Sequence, residues 1–394
     1  MANKQNKITI GTVGAGYAAH LHSGGFKKVS GVEIRLKTIC DVDEKRVKKT
    51  CEDLGFEGYC TDFDQMLKDD EIDVIDICTP PFNHVELAKK ALAAGKNVFC
   101  EKPMTGYYGK PGDPEPIGKK VSKKQMYEAV MAELDSLVPV LEKSGKQFMY
   151  GQNLVYCPAV QRAAEVIEHK KSKILLMISE ISMKGSTTPV AGQWNKMGGG
   201  ILARNGVHPI SMILTLKARE AAARGETITL KSVNCDWGTT TYCLGEEEKQ
   251  HIKARPQDVE DNATLTITFS DGTKALVIAS DTVLGGTTQS IRVCANNVNM
   301  HCHIVPSGAM QSYMLDEDGM EDVVLGEMLP TNIGWQQVLV SDEVARGFSN
   351  EFQDFCECAV TGRKPLSGIQ MAYDVCKVLY AAYWSAEEGR RIDF

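Results

Sequence analysis

No apolar run in the sequence approaches the roughly 20 residues that a membrane-spanning helix needs. Basic residues are not in excess either, because 44 lysines and arginines stand against 51 aspartates and glutamates, for a net charge of −7. The N-terminal segment MANKQNKITI lacks the long apolar stretch of a secretion signal. These absences argue against membrane and nucleic-acid partners and predict a cytoplasmic protein.

Zinc-ligand spacing is also missing from the 13 cysteines, which are scattered along the chain. In a cytoplasmic protein such cysteines are expected to be reduced and mostly buried. His301 and His303 would share one face of a strand, yet no third ligand lies nearby in the sequence. We therefore expect no metal site.

The chain of 394 residues is long enough for two domains. Up to residue 151, strand-like and helix-like segments alternate, with strands at KITIGTV, EIRLKTICD, EIDVIDIC and NVFC. Such alternation predicts a parallel sheet with helices on both faces. From residue 152 onward, strand-like runs follow one another without helices between them. Because SDGT between two of these runs is a hairpin signal, we expect the second sheet to be largely antiparallel.

Residues 105–121, TGYYGKPGDPEPIGKKV, interrupt the first pattern. Four glycines and three prolines in this segment predict a loop or insertion rather than a regular element. Two interpretations remain open, a solvent-exposed loop and a lid over the neighbouring strand end.

The segment GAGYAA, residues 14–19, follows the first predicted strand and opens a helix. This G-x-G-x-x-A pattern is typical of dinucleotide binding. Gly14 makes the tight turn, Gly16 lets the backbone approach a pyrophosphate, and Ala19 permits close helix–strand packing. Tyr17 and Ala18 lie in the first helical turn, where free N–H groups and the helix dipole favour a phosphate.

Asp41 ends the second predicted strand, 25 residues after Gly16. An acidic residue at this place binds the ribose diol and repels a 2′-phosphate, which predicts NAD rather than NADP as the cofactor. Lys45 and Arg46 follow closely and leave NADP open as the alternative.

The stretch CEKPM places Glu101 and Lys102 at the C-terminal end of a predicted parallel strand. Open α/β sheets bind their ligands at that edge. A lysine there can donate a hydrogen bond to a substrate hydroxyl and stabilise negative charge that develops on its oxygen. The alternative is a surface Glu–Lys pair followed by Pro103.

Five segments occur in order along the chain, and together they resemble the Gfo/Idh/MocA family of oxidoreductases: GTVGAGYAAH, DVDEKR, EIDVIDICTPPFNHVELAKKALAAGKNVFCEKPM, GGGILARNGVHPI and the tail from FQDFCECAV onward. The resemblance implies a Rossmann NAD-binding domain over residues 1–151, with a doubly wound parallel sheet. It implies a substrate-binding α/β domain with an open, mostly antiparallel sheet over residues 152–394. It also implies sugar, cyclitol or related polyol substrates and homo-oligomers formed through the C-terminal sheet.

In that family the EKP lysine and a D-x-x-x-H pair are the usual catalytic set, which assigns catalytic roles to Lys102 and His208. The aspartate position holds Arg204 in this sequence, and Asn205 beside it does not supply an acid. A helix beginning near Gly199 would place Arg204 and His208 one turn apart. We expect a neutral His208 to accept the hydroxyl proton. Arg204 is expected to disfavour the imidazolium and to donate to a second substrate oxygen. A buried structural histidine is the alternative.

The resemblance also suggests further contacts, each of which could instead be purely structural. Those expected near the nicotinamide are Thr79, Pro80, Asn83 and His84, together with Glu101 and Lys102. Those expected to line a sugar site are Tyr156, Gln193, Trp194, Arg204, Asn205 and Asp281, with Trp194 as a stacking surface.

The EKPMTGYYG extension and the insertion after it are similar to a bacterial subgroup that oxidises glucosides at the C3 hydroxyl. We therefore predict an NAD-dependent dehydrogenase that converts a secondary hydroxyl of a sugar or glycoside to a ketone. The C3 hydroxyl of a glucoside is the position that we favour. Two alternatives remain: a redox-neutral NAD-dependent glycosidase acting by oxidation and elimination, and a non-catalytic NAD and sugar sensor, which the missing aspartate would explain.

Overall fold

The computed structural model describes residues 6–305, 310–314, 334–338 and 342–394. The strands are β1 (Lys7–Val13), β2 (Glu33–Cys40), β3 (Gly58–Cys60), β4 (Val74–Ile77), β5 (Asn97–Cys100), β6 (Phe148–Tyr150), β7 (Ile174–Ser182), β8 (Leu230–Gly238), β9 (Asn262–Phe269), β10 (Lys274–Ser280), β11 (Thr288–Ala295), β12 (Asn299–His303), β13 (Met310–Met314), β14 (Gly334–Val338) and β15 (Ile392–Asp393). The helices are α1 (Tyr17–Phe26), α2 (Glu44–Leu54), α3 (Phe63–Leu67), α4 (His84–Ala93), α5 (Ile117–Lys120), α6 (Lys123–Ser144), α7 (Pro158–Lys170), α8 (Trp194–Met197), α9 (Val207–Arg224), α10 (Asp342–Ala345), α11 (Phe348–Thr361) and α12 (Ile369–Glu388). A π-helical turn, Leu202–Gly206, precedes α9. None of the helices in the described ranges is long and apolar enough to cross a membrane.

The first sheet is parallel and has the strand order β3–β2–β1–β4–β5–β6, the Rossmann order. Its central strands are almost entirely buried, as in a sheet covered by helices on both faces. The register aligns their carboxyl ends, because Val13 lies beside Cys40 and Ile77, and Cys100 lies beside Ile77 and Tyr150. The residues that follow these strands therefore meet at one edge of the sheet.

The second sheet has seven strands in the order β12–β11–β7–β10–β9–β8–β15. Neighbouring strands are antiparallel, except that β7 and β10 run parallel. The SDGT segment forms the predicted β9–β10 hairpin, in which Gly272 has a φ of +85° and the Phe269 N–H donates to the Thr273 carbonyl at 3.0 Å. The predicted α/β fold, with one parallel and one mostly antiparallel sheet, is confirmed.

The C-terminal helices contribute to both cores. Phe352 and Phe355 of α11 pack against Ile8, Ile10 and Phe99 of the first sheet. Helix α12 packs against α6 and β8. The boundary expected near residue 151 follows the end of β6, but the tail of the chain then returns to the first sheet.

The insertion at residues 105–121 is packed rather than free. Tyr107 and Ile117 are buried, and the latter begins α5. The Tyr107 N–H donates to the Tyr380 hydroxyl at 2.7 Å, and that hydroxyl donates to the Gly198 carbonyl at 2.8 Å. Hydrogen bonds through Tyr380 of α12 thus connect the insertion to the glycines that precede the π-helical turn. A freely solvated loop would not make these contacts.

Candidate active site

Gly14 makes the turn from β1 into α1. Its φ is +99°, and a Cβ there would lie 2.6 Å from the carbonyl oxygen of Cys78, so no side chain fits. Gly16 precedes α1 without a side-chain cap, and no atom lies within 4 Å of where its Cβ would be. The first N–H groups of α1 therefore border a space open to a pyrophosphate.

The next three residues fit the same purpose. Tyr17 is 84% exposed and borders the open side of the turn, whereas half-buried Ala18 packs against the cluster that contains Ile39. Ala19 is buried against the cluster that contains Ile39, which lets α1 lie close to the sheet.

Asp41 follows β2 and faces the turn. Its carboxylate accepts the Ala15 N–H at 2.8 Å and the Arg46 guanidinium at 2.6 Å. Burial acts to raise the pKa of Asp41, but these hydrogen bonds and that of Asp43 outweigh it and hold the pKa below its ordinary value. Beside Asp41 lies a cavity of ≈ 750 Å³, lined among others by Gly16 and Arg46. The glycine turn, the open helix terminus and a charged carboxylate fit a dinucleotide.

Two loops at the same edge are joined by His84. Its Nε2 lies 2.8 Å from the Thr79 carbonyl oxygen and its Nδ1 lies 3.0 Å from that of Pro103. The ring is fully buried, so His84 positions the two loops and offers no free nitrogen to a ligand. This corrects the expected direct contact with the cofactor. Thr79 is half-buried and donates to the Asn83 side chain at 2.6 Å, and Pro80 beside it is exposed.

Glu101 belongs to a buried hydrogen-bond network. Its carboxylate accepts the Lys102 N–H at 2.7 Å and lies 3.1 Å from His22 Nε2, while His22 Nδ1 lies 2.8 Å from Asp76. Burial acts to lower the pKa of His22, but Cys78 and Asp76 raise it well above its ordinary value. The atoms of His22, Asp76 and Cys78 are close enough to hold a metal ion, but the hydrogen bonds already account for their proximity.

Lys102 reaches from the end of β5 to the π-helical turn. Its Nζ donates to the Arg204 carbonyl at 2.9 Å, which leaves further N–H groups for a substrate oxygen. Burial lowers the pKa of Lys102, Glu101 offsets part of this effect, and the charges of Arg204 and Arg346 add to it.

His208 lies at the start of α9, close enough to Lys102 for the positive charge of that lysine to act on it. Its Nδ1 lies 2.9 Å from Gln152 Oε1, which also accepts the Ser211 hydroxyl at 3.1 Å. An oxygen partner requires the hydrogen on Nδ1, so Nε2 carries the lone pair of the neutral ring. Among residues 6–305 and 342–394, none hydrogen-bonds to Nε2. Burial, and then the charges of Lys102 and Arg346, lower the pKa of His208 well below its ordinary value.

Arg204 lies in the π-helical turn, and its guanidinium pairs with Asp281, directly after β10. The expected effect of Arg204 on the imidazolium of His208 is not borne out, because Arg204 is not among the charges that lower the pKa of His208. The charge of Arg204 lowers the pKa of Lys102. The pKa of His208 is low, as predicted, but burial, Lys102 and Arg346 cause this rather than Arg204.

Comparison with known proteins shows the family to which the chain belongs. Residues 8–113 match the family model described as the oxidoreductase family with an NAD-binding Rossmann fold, and residues 161–298 match the GFO/IDH/MocA C-terminal domain. The chain belongs to the Gfo/Idh/MocA family. The predicted family, the NAD cofactor and the assignment as an NAD-dependent oxidoreductase are thereby confirmed.

Individual members of the Gfo/Idh/MocA family are distant relatives of this chain. A levoglucosan dehydrogenase of Pseudarthrobacter phenanthrenivorans is 24% identical over 69% of this chain and 67% of its own length. The structure of GenD2 from gentamicin A biosynthesis, in complex with NAD, has a TM-score of 0.74 at 20% identity and covers 100% of this chain and 98% of its own. A levoglucosan dehydrogenase solved with NADH and levoglucosan has a TM-score of 0.71 at 18% identity, covering 98% and 99%.

Two aromatic residues expected at the sugar site of this Gfo/Idh/MocA protein lie in its core. Trp194 is fully buried, and its indole N–H donates to the Tyr107 carbonyl at 3.1 Å. Tyr156 is buried, and its hydroxyl donates to Asp354 at 2.8 Å. Neither presents a face to a sugar, which corrects both expectations. Gln193 and Asn205 are half-buried, before α8 and beside Arg204 respectively.

Three residues that the sequence did not reveal act on the candidate site residues of this Gfo/Idh/MocA protein. Gln152 follows β6 at the sheet edge, a position that could have been noticed. Glu351 lies in the first turn of α11, where burial and then the charge of Glu101 raise its pKa well above the ordinary value. Arg346 precedes α11, and its charge lowers the pKa of both Lys102 and His208. No local pattern marks Glu351 or Arg346, because each is brought to the site from more than 100 residues away in the chain.

Proposed function

We propose that this protein oxidises a secondary hydroxyl of a sugar or glycoside with NAD, and that its preferred group is the C3 hydroxyl of a glucoside, giving a 3-keto glucoside. The observation that carries the proposal is the state of His208. The buried imidazole donates its Nδ1 hydrogen to Gln152, and none of the described residues hydrogen-bonds to its Nε2. A neutral ring in this state can act as a base. The charge of Lys102 acts on the same ring.

Each of these residues has a separate role in the proposed alcohol oxidation. His208 Nε2 accepts the hydroxyl proton, and Gln152 keeps the ring in the tautomer that can do so. Lys102 donates a hydrogen bond to the same oxygen and stabilises the charge that develops as the proton leaves. Bound NAD supplies the hydride acceptor, and the glycine turn, the α1 N-terminus and Asp41 would hold it.

The substrate class is supported by polar groups of the neighbouring segments. Asn205 is half-buried beside Arg204, whose carbonyl accepts Lys102, and Gln193 is half-buried before α8. Both offer donors and acceptors of the kind that bind sugar hydroxyls. The levoglucosan dehydrogenase relatives act on a sugar derivative, as their names state. The preference for C3 of a glucoside rests on the resemblance of the EKPMTGYYG extension to the C3-oxidising subgroup.

A panel of methyl and aryl glucosides tests the proposal. Purified protein with NAD should yield a product that has lost two hydrogens, identified by mass spectrometry. Lys102→Met should bind NADH normally but lower kcat by about 100-fold or more, whereas Lys110→Met in the exposed part of the insertion should retain activity. Release of the aglycone without a keto sugar would identify a glycosidase, and binding of NAD without turnover of any sugar would identify a sensor.

A further inference from the structure

Two cysteines on neighbouring strands lie beside the turn that Gly14 makes from β1 into α1. Cys40 ends β2 and Cys60 ends β3, and the parallel register pairs them. Because directly paired residues of neighbouring strands point to the same side, their side chains share one face of the sheet, where both pack on the same core cluster. Neighbouring strands lie about 4.8 Å apart, within the Cα separation of roughly 4.4–6.8 Å that a disulfide spans. The two thiols are thus placed where a bond between them needs only small backbone movement.

The backbone of this pair is tied directly to the NAD site. The Cys40 carbonyl accepts the Gly14 N–H at 2.8 Å, and the Cys60 carbonyl accepts the Asp41 N–H at 3.3 Å. The Asp41 carboxylate in turn holds the Ala15 N–H at 2.8 Å. A movement that draws the ends of β2 and β3 together therefore shifts the glycine turn and the carboxylate that faces it.

The two thiols differ in reactivity. Cys60 is half-buried, and its Sγ donates to the Asp62 carbonyl at 3.4 Å, while Cys40 is buried. Hydrogen bonding between the two sulfurs lowers the pKa of Cys60 and raises that of Cys40. Cys60 is therefore the thiol that an oxidant meets first as a thiolate.

We propose that Cys40 and Cys60 form a reversible disulfide that weakens binding of the nicotinamide cofactor. With hydrogen peroxide as oxidant, the Cys60 thiolate attacks one peroxide oxygen, the O–O bond breaks, and Cys60 becomes a sulfenic acid as hydroxide leaves. The Cys40 sulfur then attacks the Cys60 sulfur, and the sulfenic oxygen leaves as water with the Cys40 proton. The two thiols lose two electrons in total, and the peroxide is reduced. Thiol reductants reverse the bond by exchange.

The full-length protein tests this in two measurements on the same sample. After treatment with hydrogen peroxide, or with diamide as a second oxidant, peptide mass spectrometry should detect the Cys40–Cys60 crosslink. The dissociation constant for NADH, measured by fluorescence titration, should rise by about 5-fold or more and return on adding dithiothreitol. Because the coupling is reciprocal, saturating NADH should slow formation of the crosslink.

Variants separate this pair from the other cysteines. Cys60→Ser and Cys40→Ala should each keep the NADH affinity of the reduced protein after oxidation. Cys243→Ser, which removes an exposed thiol elsewhere, should remain sensitive to oxidation. The proposal is overturned if the crosslinked peptide does not form, if it forms without change in NADH affinity, or if Cys60→Ser loses affinity on oxidation as the parent does.

Discussion

At the residue scale, the proposed chemistry depends on His208 being uncharged at neutral pH. Burial is the main reason that its pKa is low, and the positive charges of Lys102 and Arg346 lower it further. The hydrogen bond to Gln152 places the proton on Nδ1 without supplying negative charge, since an amide oxygen is neutral. A carboxylate in that position would favour the imidazolium instead. As the proposed base, His208 should therefore stay neutral to lower pH than a solvent-exposed histidine.

The pH profile reports this effect. If His208 is the base, activity should be lost as the pH falls through its pKa, because protonation removes the lone pair on Nε2. Arg346→Met removes a neighbouring positive charge, so the pKa of His208 should rise and the acidic limb of kcat/KM should move to higher pH by roughly half a unit or more. The measurement is kcat/KM for one glucoside across the acidic range.

The matched control is the double variant Arg204→Met with Asp281→Asn. It removes a nearby arginine together with its partner, and Arg204 is not among the groups that lower the pKa of His208. Its activity can fall, but the acidic limb should keep its position. If both variants move the limb equally, the charge acting on His208 has been assigned to the wrong arginine.

At the element scale, the π-helical turn at Leu202–Gly206 decides which groups meet. It carries the Arg204 carbonyl to Lys102 and the Arg204 guanidinium to Asp281, while α9 begins directly after it with His208 near its first turn. Buried Glu260 accepts the N–H groups of Gly200 and Leu202 at the entry to this turn, both at 2.9 Å. The sequence predicts one regular helix here, but the segment begins as a π-helical turn and continues as an α-helix.

The Arg204–Asp281 pair should stabilise this turn. Both side chains are largely buried, so Arg204→Met leaves the Asp281 carboxylate without its cation and should lower the free energy of unfolding by about 3–5 kcal/mol. Asp281→Asn in the same chain should recover part of that loss, because the buried charge is gone. Urea denaturation followed by tryptophan fluorescence measures both. Arg162→Met, which breaks an exposed pair with Glu165, should change little. Strict additivity of the two single substitutions would contradict the assignment.

At the scale of the whole molecule, the sequence predicted the two sheets because each has a local signal. Buried strands between helices marked the parallel sheet, and SDGT marked the hairpin. Gly14, Asp41, Lys102 and His208 could be selected as site candidates because each follows a strand end or lies in a recognisable motif. The packing of the insertion on Tyr380, the return of α11 to the first sheet and the burial of Trp194 could not be predicted. They depend on contacts between segments that are far apart in the chain.

Oligomerisation is a prediction at this scale. On the second sheet, Leu176 is 37% exposed, and Ile178 and Leu276 beside it on the same face are only partly buried. An exposed apolar sheet face is typical of a subunit interface. We expect an oligomer of this chain by light scattering after size-exclusion chromatography, and Ile178→Glu should shift it toward monomer. Leu284→Glu, in an exposed loop, should leave it unchanged. A monomeric parent protein would contradict the expectation.

We propose that hydride leaves a sugar carbon for NAD at the site formed by Lys102 and His208. Methyl glucoside deuterated at C3 tests it most directly, with the C2-deuterated isomer as the control substrate. The reduced cofactor should carry the deuterium from the C3-labelled substrate and none from the C2-labelled one, and the keto product should have lost the C3 label. Reduced cofactor without deuterium from C3, or turnover that leaves the label in the sugar product, would contradict it.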